Sequence, residues 1–248
     1  MSLLRGIRTF TDGAQLMRQP RLLRFAWIPA LLSLLIISAG LWFAFSYVTE
    51  FSDYLVAQMP SWLGFLSFIL TPLLYLLGLL TGAWLFGLIA ILIASPLLGD
   101  LSLAVEEHTT PGAAPPAPAF LPGLAVAFRR EGRKLLYHLP RLLIVAILSV
   151  IPFINTFSPL LWLVFGAWTL AVQFADYPAE NRGLAFVDTL ERLRGQRWTA
   201  LGFGGCATVA LAIPVLNFLL VPVAVVGGTL LWQRTQPVEP DSQQTDTR

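Results

Sequence analysis

Arg21 and Arg24, three residues apart and directly after Pro20, are the side chains in this sequence best suited to anion capture. A proline in this position marks the first turn of a helix, where the leading N–H groups have no intrahelical acceptor. Two guanidinium groups beside such a helix start suit a tetrahedral oxyanion, since Arg offers paired donors and backbone amides supply the rest. Arginines at the cytoplasmic end of a membrane helix are equally what the positive-inside rule predicts, so the residues alone leave both readings open. A second set of charges sits at the edges of apolar runs: Glu106, Glu107, the cluster from Arg129 to Lys134 that includes Arg130 and Glu131, then Arg141, Asp176 and Arg194. These are expected either to pair into a network at the cytoplasmic mouth or to remain solvated membrane-edge charges.

Other chemistry is poorly supplied. There is no HExxH, GxSxG or Walker loop, so neither an enzyme nor direct ATP drive is expected. His108 closes a helix, and His138, beside Tyr137, reads as a surface residue at a membrane interface rather than a ligand. The single cysteine, Cys206, can form no intramolecular disulfide, and no Cys/His cluster suggests a metal. No cofactor is expected.

The elements that position these charges are apolar helices. Of the 248 residues, 56% are hydrophobic and 12% charged, against about 25% charged in soluble domains. Four long apolar stretches lack Asp, Glu, Lys and Arg, and each exceeds the roughly 20 residues that a span requires. The class is therefore an all-α integral membrane protein. The net charge of +2 is explained by basic cytoplasmic loops and implies no nucleic acid. The first apolar run follows about 24 polar and amphipathic residues and is long enough to span, so it reads as a retained helix rather than a signal peptide.

A single membrane domain is expected over 1–233. Residues 1–20 read as an amphipathic interfacial helix, with packing on protein as the alternative, and 22–48 as the first long helix. Thr49 to Ser61 carries acids but no Lys or Arg, whereas residues 1–24 carry five arginines, which puts the N-terminus and basic loops in the cytoplasm and this linker outside. Residues 62–107 read as a second long, tilted helix, with Pro72 separating a leading segment from the span and Gly78 with Gly82 forming a close-packing face. A Pro/Ala/Gly loop follows from Pro111 to Pro118, then an amphipathic helix at 120–138. The tail 234–248 is expected to be disordered.

The last two apolar runs, 141–176 and 199–233, contain a repeat: Ile151-Pro152-Phe153-Ile154-Asn155 and Ile213-Pro214-Val215-Leu216-Asn217, each followed by another proline. Each repeat is expected to be a turn between two helical arms. The arms Leu142 to Ile151, Thr199 to Ile213 and the one after Pro222 hold about 10 to 15 residues, or about 15 to 22 Å. A core of about 30 Å is not crossed by such arms, so two re-entrant hairpins with Asn155 and Asn217 at their apices are expected, lining a permeation path. The alternative is two pairs of short full spans with external turns.

From about Gly13 to Trp232 the sequence resembles the CysZ family of bacterial sulfate permeases. The likeness rests on Gln19-Pro20 with Arg24-Phe25 and Pro29, on Arg130-Glu131 and Lys134 leading to Leu139-Pro140-Arg141, and on Leu161-Trp162, Ala167-Trp168 and Asp176-Tyr177-Pro178 with Asn181. Ile213-Pro214 to Asn217 and Pro222-Val223-Ala224-Val225 complete it. The resemblance implies two long transmembrane helices, two helical hairpins entering part of the bilayer, homo-oligomeric assembly among membrane lipids, and inner-membrane uptake of sulfate for cysteine biosynthesis. It also implies sulfate binding at the start of the first long helix, where relatives carry Gly-Leu/Ile-Arg-Arg and this chain carries Arg21-Leu22-Leu23-Arg24. Glu106, Glu107, Arg130, Glu131, Lys134, Arg141, Asn155, Asp176 and Asn217 are the expected path or gate residues. A carrier for sulfite, thiosulfate or another oxyanion, or a membrane scaffold, are the other functions considered.

Overall fold

A computed structural model describes residues 2–117 and 120–235, and the described chain is helical almost throughout. Helix α1 covers Leu3–Leu16, α2 Pro20–Ala57 and, after a 3-10 segment at Ser61–Leu66, α3 Ser67–Thr109. Helix α4 covers Phe120–Val150 and leads through a turn and a 3-10 segment at Asn155–Phe157 into α5, Ser158–Asn181. Helices α6 (Phe186–Gly195), α7 (Arg197–Leu211) and α8 (Pro214–Arg234) are the last elements of the described residues. Among the described residues, three stretches, Leu31–Ala57, Trp62–Gly87 and Asn155–Asn181, are long and apolar enough to cross a membrane.

The chain forms two compact units, Trp27–Leu97 and a second made of Met1–Ala26 with Leu98–Arg248. Within Trp27–Leu97, α2 and α3 run antiparallel, with Gly78 against Val48, Gly82 against Ala44 and Gly40 against Phe86. This is the close helix approach expected of the GxxxG face. Helix α2 continues to Ala57, so most of the predicted outer linker is helical. Thr49 Oγ1 meets the Tyr75 hydroxyl at 2.9 Å, and the Ser52 hydroxyl donates to Thr71 at 3.3 Å. Those pairs give polar residues at this end a partner on the facing helix. The expected boundary at Pro72 is absent, because the helix begins at Ser67 and runs through that proline.

The second unit is built on two helical hairpins, α4–α5 and α7–α8. Helix α5 is central: Ala167, Ala171, Val172 and Ala175 are buried among its neighbours. A Cβ on Gly204 of α7 would lie 1.7 Å from the Ala167 carbonyl oxygen, so α5 and α7 meet backbone to backbone. Pro178 supplies no N–H to the Phe174 carbonyl. Gly228 of α8 packs onto that carbonyl, where a Cβ would stand 2.4 Å from the oxygen. Helix α1 lies on α7 and α8 through its small residues Gly6, Thr9 and Gly13, leaving Leu3, Leu4 and Ile7 exposed. Its amphipathic pattern therefore combines a small face on protein with an apolar face turned outward.

In this unit, three further features differ from the sequence reading. The amphipathic segment 120–138 and the arm from 141 are one continuous helix, α4, running through Pro140. In apolar surroundings the loss of one N–H is tolerated more readily than a break that would strand several. Secondly, the two copies of the repeat fold in different registers. Pro152 lies in the first turn, which is closed by Phe153 at φ 69°, and Pro159 opens α5; in the second copy Pro214 itself opens α8. Asn155 thus sits exposed at the first tip, whereas Asn217 lies inside a helix rather than at an apex, and its side chain falls outside the described residues. Thirdly, 186–195, to which the sequence reading gave no element, is helix α6. Residues 236–248 of the tail lie outside the described residues.

Arm length consequently says less about depth than the sequence implied. Helix α7 has the expected 15 residues, but α5 has 24 and α8 has 21, about 36 and 32 Å at 1.5 Å per residue. The first tip is strongly apolar, with Val150, Phe153 and Phe157 exposed, Phe153 by 91%. A surface of that kind suits hydrocarbon.

The neighbouring glycines Gly204 and Gly205 give a direct test of the α5–α7 contact. Gly204→Ala drives a methyl group into the Ala167 carbonyl, whereas no atom lies within 4 Å of a Cβ at Gly205. Gly204→Ala is expected to destabilise the protein by about 1–3 kcal/mol, read as a lower Tm in detergent, while Gly205→Ala leaves Tm unchanged or slightly raised.

Candidate functional site

The charged residues divide into three places. The first is the start of α2. Arg21 and Arg24 are exposed there, Leu23 is partly exposed, and Leu22 is buried. The N–H groups of Leu22 and Leu23 donate to the Gln19 carbonyl at 3.0 and 3.1 Å. Pro20 has no N–H, so two of the amides that the sequence offered to an anion are already in use. What this helix start presents is chiefly the pair of guanidinium groups.

The second place is a buried cluster joining α4, α5 and α6, centred on the Asp176 carboxylate. Arg130 and Lys134 lie one turn apart on α4 and so project on the same side. Arg130 donates from Nε to Asp176 Oδ2 at 2.8 Å and from Nη2 to Oδ1 at 2.6 Å, the paired geometry of a guanidinium on a carboxylate. Lys134 Nζ lies 3.2 Å from Asp176 Oδ2 and 2.9 Å from Glu131 Oε1. The Thr189 hydroxyl on α6 donates to Asp176 Oδ1 at 2.7 Å, and Gln173 Nε2 donates to Glu131 Oε1 at 3.1 Å. Arg130 also donates to the Leu184 carbonyl, fixing the α5–α6 connection.

Arg130 and Lys134 thus face Asp176 and Glu131 where water is scarce, since Asp176 is fully buried and Lys134 nearly so, and a third carboxyl, Glu180, stands close enough to act on all four. Burial alone would push the Lys134 ammonium down; Glu131 and Asp176 outweigh it and hold the group above its ordinary value. His138, one turn beyond Lys134, is buried rather than at the surface, and its Nδ1 lies 3.3 Å from the Thr169 hydroxyl. Burial, then the charges of Arg141 and Lys134, lower its pKa to about 4, so the ring is neutral at physiological pH.

The third place joins the ends of α3 and α5. Glu106 is fully buried and accepts from Arg182 Nη1 at 2.7 Å, while its Oε2 has no partner among the described residues. Arg182 also donates to the carbonyls of Pro178 and Ala113 at 3.2 and 3.3 Å, and Asn181 Nδ2 donates to the Gly99 carbonyl at 3.0 Å.

The structure therefore brings Arg130, Glu131, Lys134 and Asp176 together and gives Glu106 a different partner. Glu107 is exposed and accepts from the Gly112 N–H at 3.0 Å. Arg141 is exposed, lies 3.7 Å over the Tyr137 ring and donates to the Tyr137 carbonyl. Asn155 stands at the apolar tip. Sequence reasoning missed Arg182, Gln173 and Thr189. The i, i+4 step from Pro178 to Arg182, and the step of nearly one turn from Gln173 to Asp176, were the available signals; Thr189 carried none, since α6 was not foreseen.

Removing the central carboxylate tests the cluster. Asp176→Asn leaves Arg130 and Lys134 buried without their shared counter-charge and is expected to cost about 3–5 kcal/mol, seen as a large fall in Tm. Adding Lys134→Met recovers part of that loss, because the two changes touch one network and do not add.

Residues 9–222 match the family model described as Sulfate transporter CysZ/Etoposide-induced protein 2.4. A sulfate transporter CysZ of Pseudomonas paraeruginosa is 38% identical over 239 residues, covering 95% of this chain and 97% of the relative. One of Pseudomonas fluorescens is 37% identical over 241 residues, covering 95% and 96%.

Proposed function

The chain belongs to the Sulfate transporter CysZ/Etoposide-induced protein 2.4 family, and from that premise we propose that it is a sulfate permease of the bacterial inner membrane, supplying sulfate for cysteine biosynthesis. The observation that carries this reading is likeness to named sulfate transporters along nearly the whole of both chains, on a fold with three helices able to span a membrane. Arg21 and Arg24 capture the anion at the start of α2. The bound ion exchanges water for guanidinium donors, a substitution that planar, always-charged Arg makes at low desolvation cost.

The Asp176 cluster and the Glu106–Arg182 pair then border the route. Their arginines and lysine are already held by carboxylates, so an oxyanion passing them competes with Asp176 or Glu106 for Arg130, Lys134 or Arg182. A gate of this kind opens when an arginine exchanges one acceptor for another and closes when its carboxylate returns. The N-terminus and basic loops face the cytoplasm, following the arginine bias of residues 1–24. The α4–α5 and α7–α8 hairpins enter the bilayer from that side, with the apolar tip around Phe153 among lipid or a second copy in a homo-oligomer.

Radiolabelled sulfate uptake into proteoliposomes tests transport. Flux above empty vesicles is expected, with Arg24→Ala weakening apparent sulfate affinity about tenfold or more through the loss of charge-assisted hydrogen bonds. Folded protein that admits no sulfate would refute the proposal.

Insertion depth has its own test. In a Cys206→Ser background, Asn155→Cys is expected to resist a membrane-impermeant thiol reagent applied from the outer face. Rapid labelling from that face would instead show that α4 and α5 cross completely.

A further inference from the structure

A stack where α6 meets α8, with Trp232 buried and the Arg192 side chain half-buried, is absorbed neither by the cluster around Asp176 nor by the start of α2. The Arg192 guanidinium lies over the Trp232 ring, 3.7 Å from its centroid. Trp232 is fully buried, yet its indole N–H finds no acceptor among the described residues, and neither does the buried Nη1 of Arg192. Because one group lies over the other, the two unmatched donors belong to one place. A buried donor normally has a partner, and two on stacked side chains invite one acceptor that serves both. A second apolar group fails that requirement, and a neutral carbonyl leaves the guanidinium charge uncompensated.

The nearby charges favour an anion. Arg182 adds a second positive charge, and burial followed by that repulsion lowers the pKa of Arg192 against the opposing effect of Asp188. Asp188 is exposed, and its Oδ2 already accepts the Ala185 N–H at 2.8 Å. Arg182 directs one nitrogen to Glu106, so its charge is partly answered, whereas the Arg192 Nη1 is not.

We infer that Arg192 and Trp232 form a binding site for a tetrahedral oxyanion, separate from Arg21 and Arg24, in which one oxygen accepts from Arg192 Nη1 and another from the indole N–H. Sulfate and the phosphate of an anionic lipid headgroup share this chemistry. Stacking fixes the guanidinium plane so that one edge faces the ion, and the indole donor adds direction that a second cation would not. The site requires binding alone and holds whether or not the protein transports sulfate.

The test is the indole N–H resonance of Trp232 in ¹⁵N-labelled full-length protein in detergent, identified by its loss in Trp232→Phe. Sulfate and short-chain phosphatidylglycerol are titrated separately. A saturable shift with sulfate supports the site as one for the free ion, and a shift with phosphatidylglycerol alone supports it with lipid as the source. In either case Arg192→Gln weakens binding about tenfold or more, whereas Arg21→Gln with Arg24→Gln does not. If Arg192→Gln fails to fold, Arg192→Lys keeps the charge without the planar donor fork and is expected to weaken the same titration. No shift with either ligand in folded wild-type protein overturns the inference.

Discussion

The architecture of the larger unit depends on a carboxylate with no access to water. Asp176 is fully buried on α5 and accepts from Arg130, Lys134 and Thr189, so three helices are tied to one side chain. An isolated ionised carboxylate at such a place would be prohibitively costly, and so would the two cations without it. The charges are therefore interdependent. Arg130 extends the tie to the Leu184 carbonyl, which sets where the chain leaves α5 and begins α6.

Around that centre the helices approach more closely than ordinary side chains permit. Gly204 and Gly228 place α7 and α8 against carbonyls of α5, at Ala167 and Phe174. Among apolar helices the gain comes from dispersion and close contact rather than from expelling water, which is why small residues occupy the contacts while Phe153 and Val150 face outward. The proline at 178 serves the same geometry, since the Phe174 carbonyl that lacks its N–H lies beneath Gly228.

Such packing bears on function because it leaves few polar groups unsatisfied and makes those few informative. Among the described residues, the buried side-chain atoms without a partner include Glu106 Oε2, Glu180 Oε2, His138 Nε2, Arg192 Nη1 and the indole N–H of Trp232. Arginine recurs at these positions for a physical reason: its donors are divisible, so one guanidinium binds a carboxylate and a carbonyl together, as Arg130 and Arg182 do.

The sequence by itself determined the helical membrane class, the start of α2 near Arg21 and a close-packing glycine face at Gly78 and Gly82. It marked Arg130, Glu131, Lys134 and Asp176 as charges able to pair, but not Arg182, Gln173 or Thr189. Hydropathy, charge bias and small-residue spacing are local properties and survive without coordinates. Only the tertiary structure decided which charges pair, because Arg130 and Asp176 are 46 residues apart and Glu106 and Arg182 are 76 apart. It also decided that the two Ile-Pro-x-x-Asn copies turn differently and that Pro72 and Pro140 break nothing. A proline stops a helix only where the surroundings offer its stranded groups something better, and in an apolar bundle that is settled by the neighbouring helices, not by the proline.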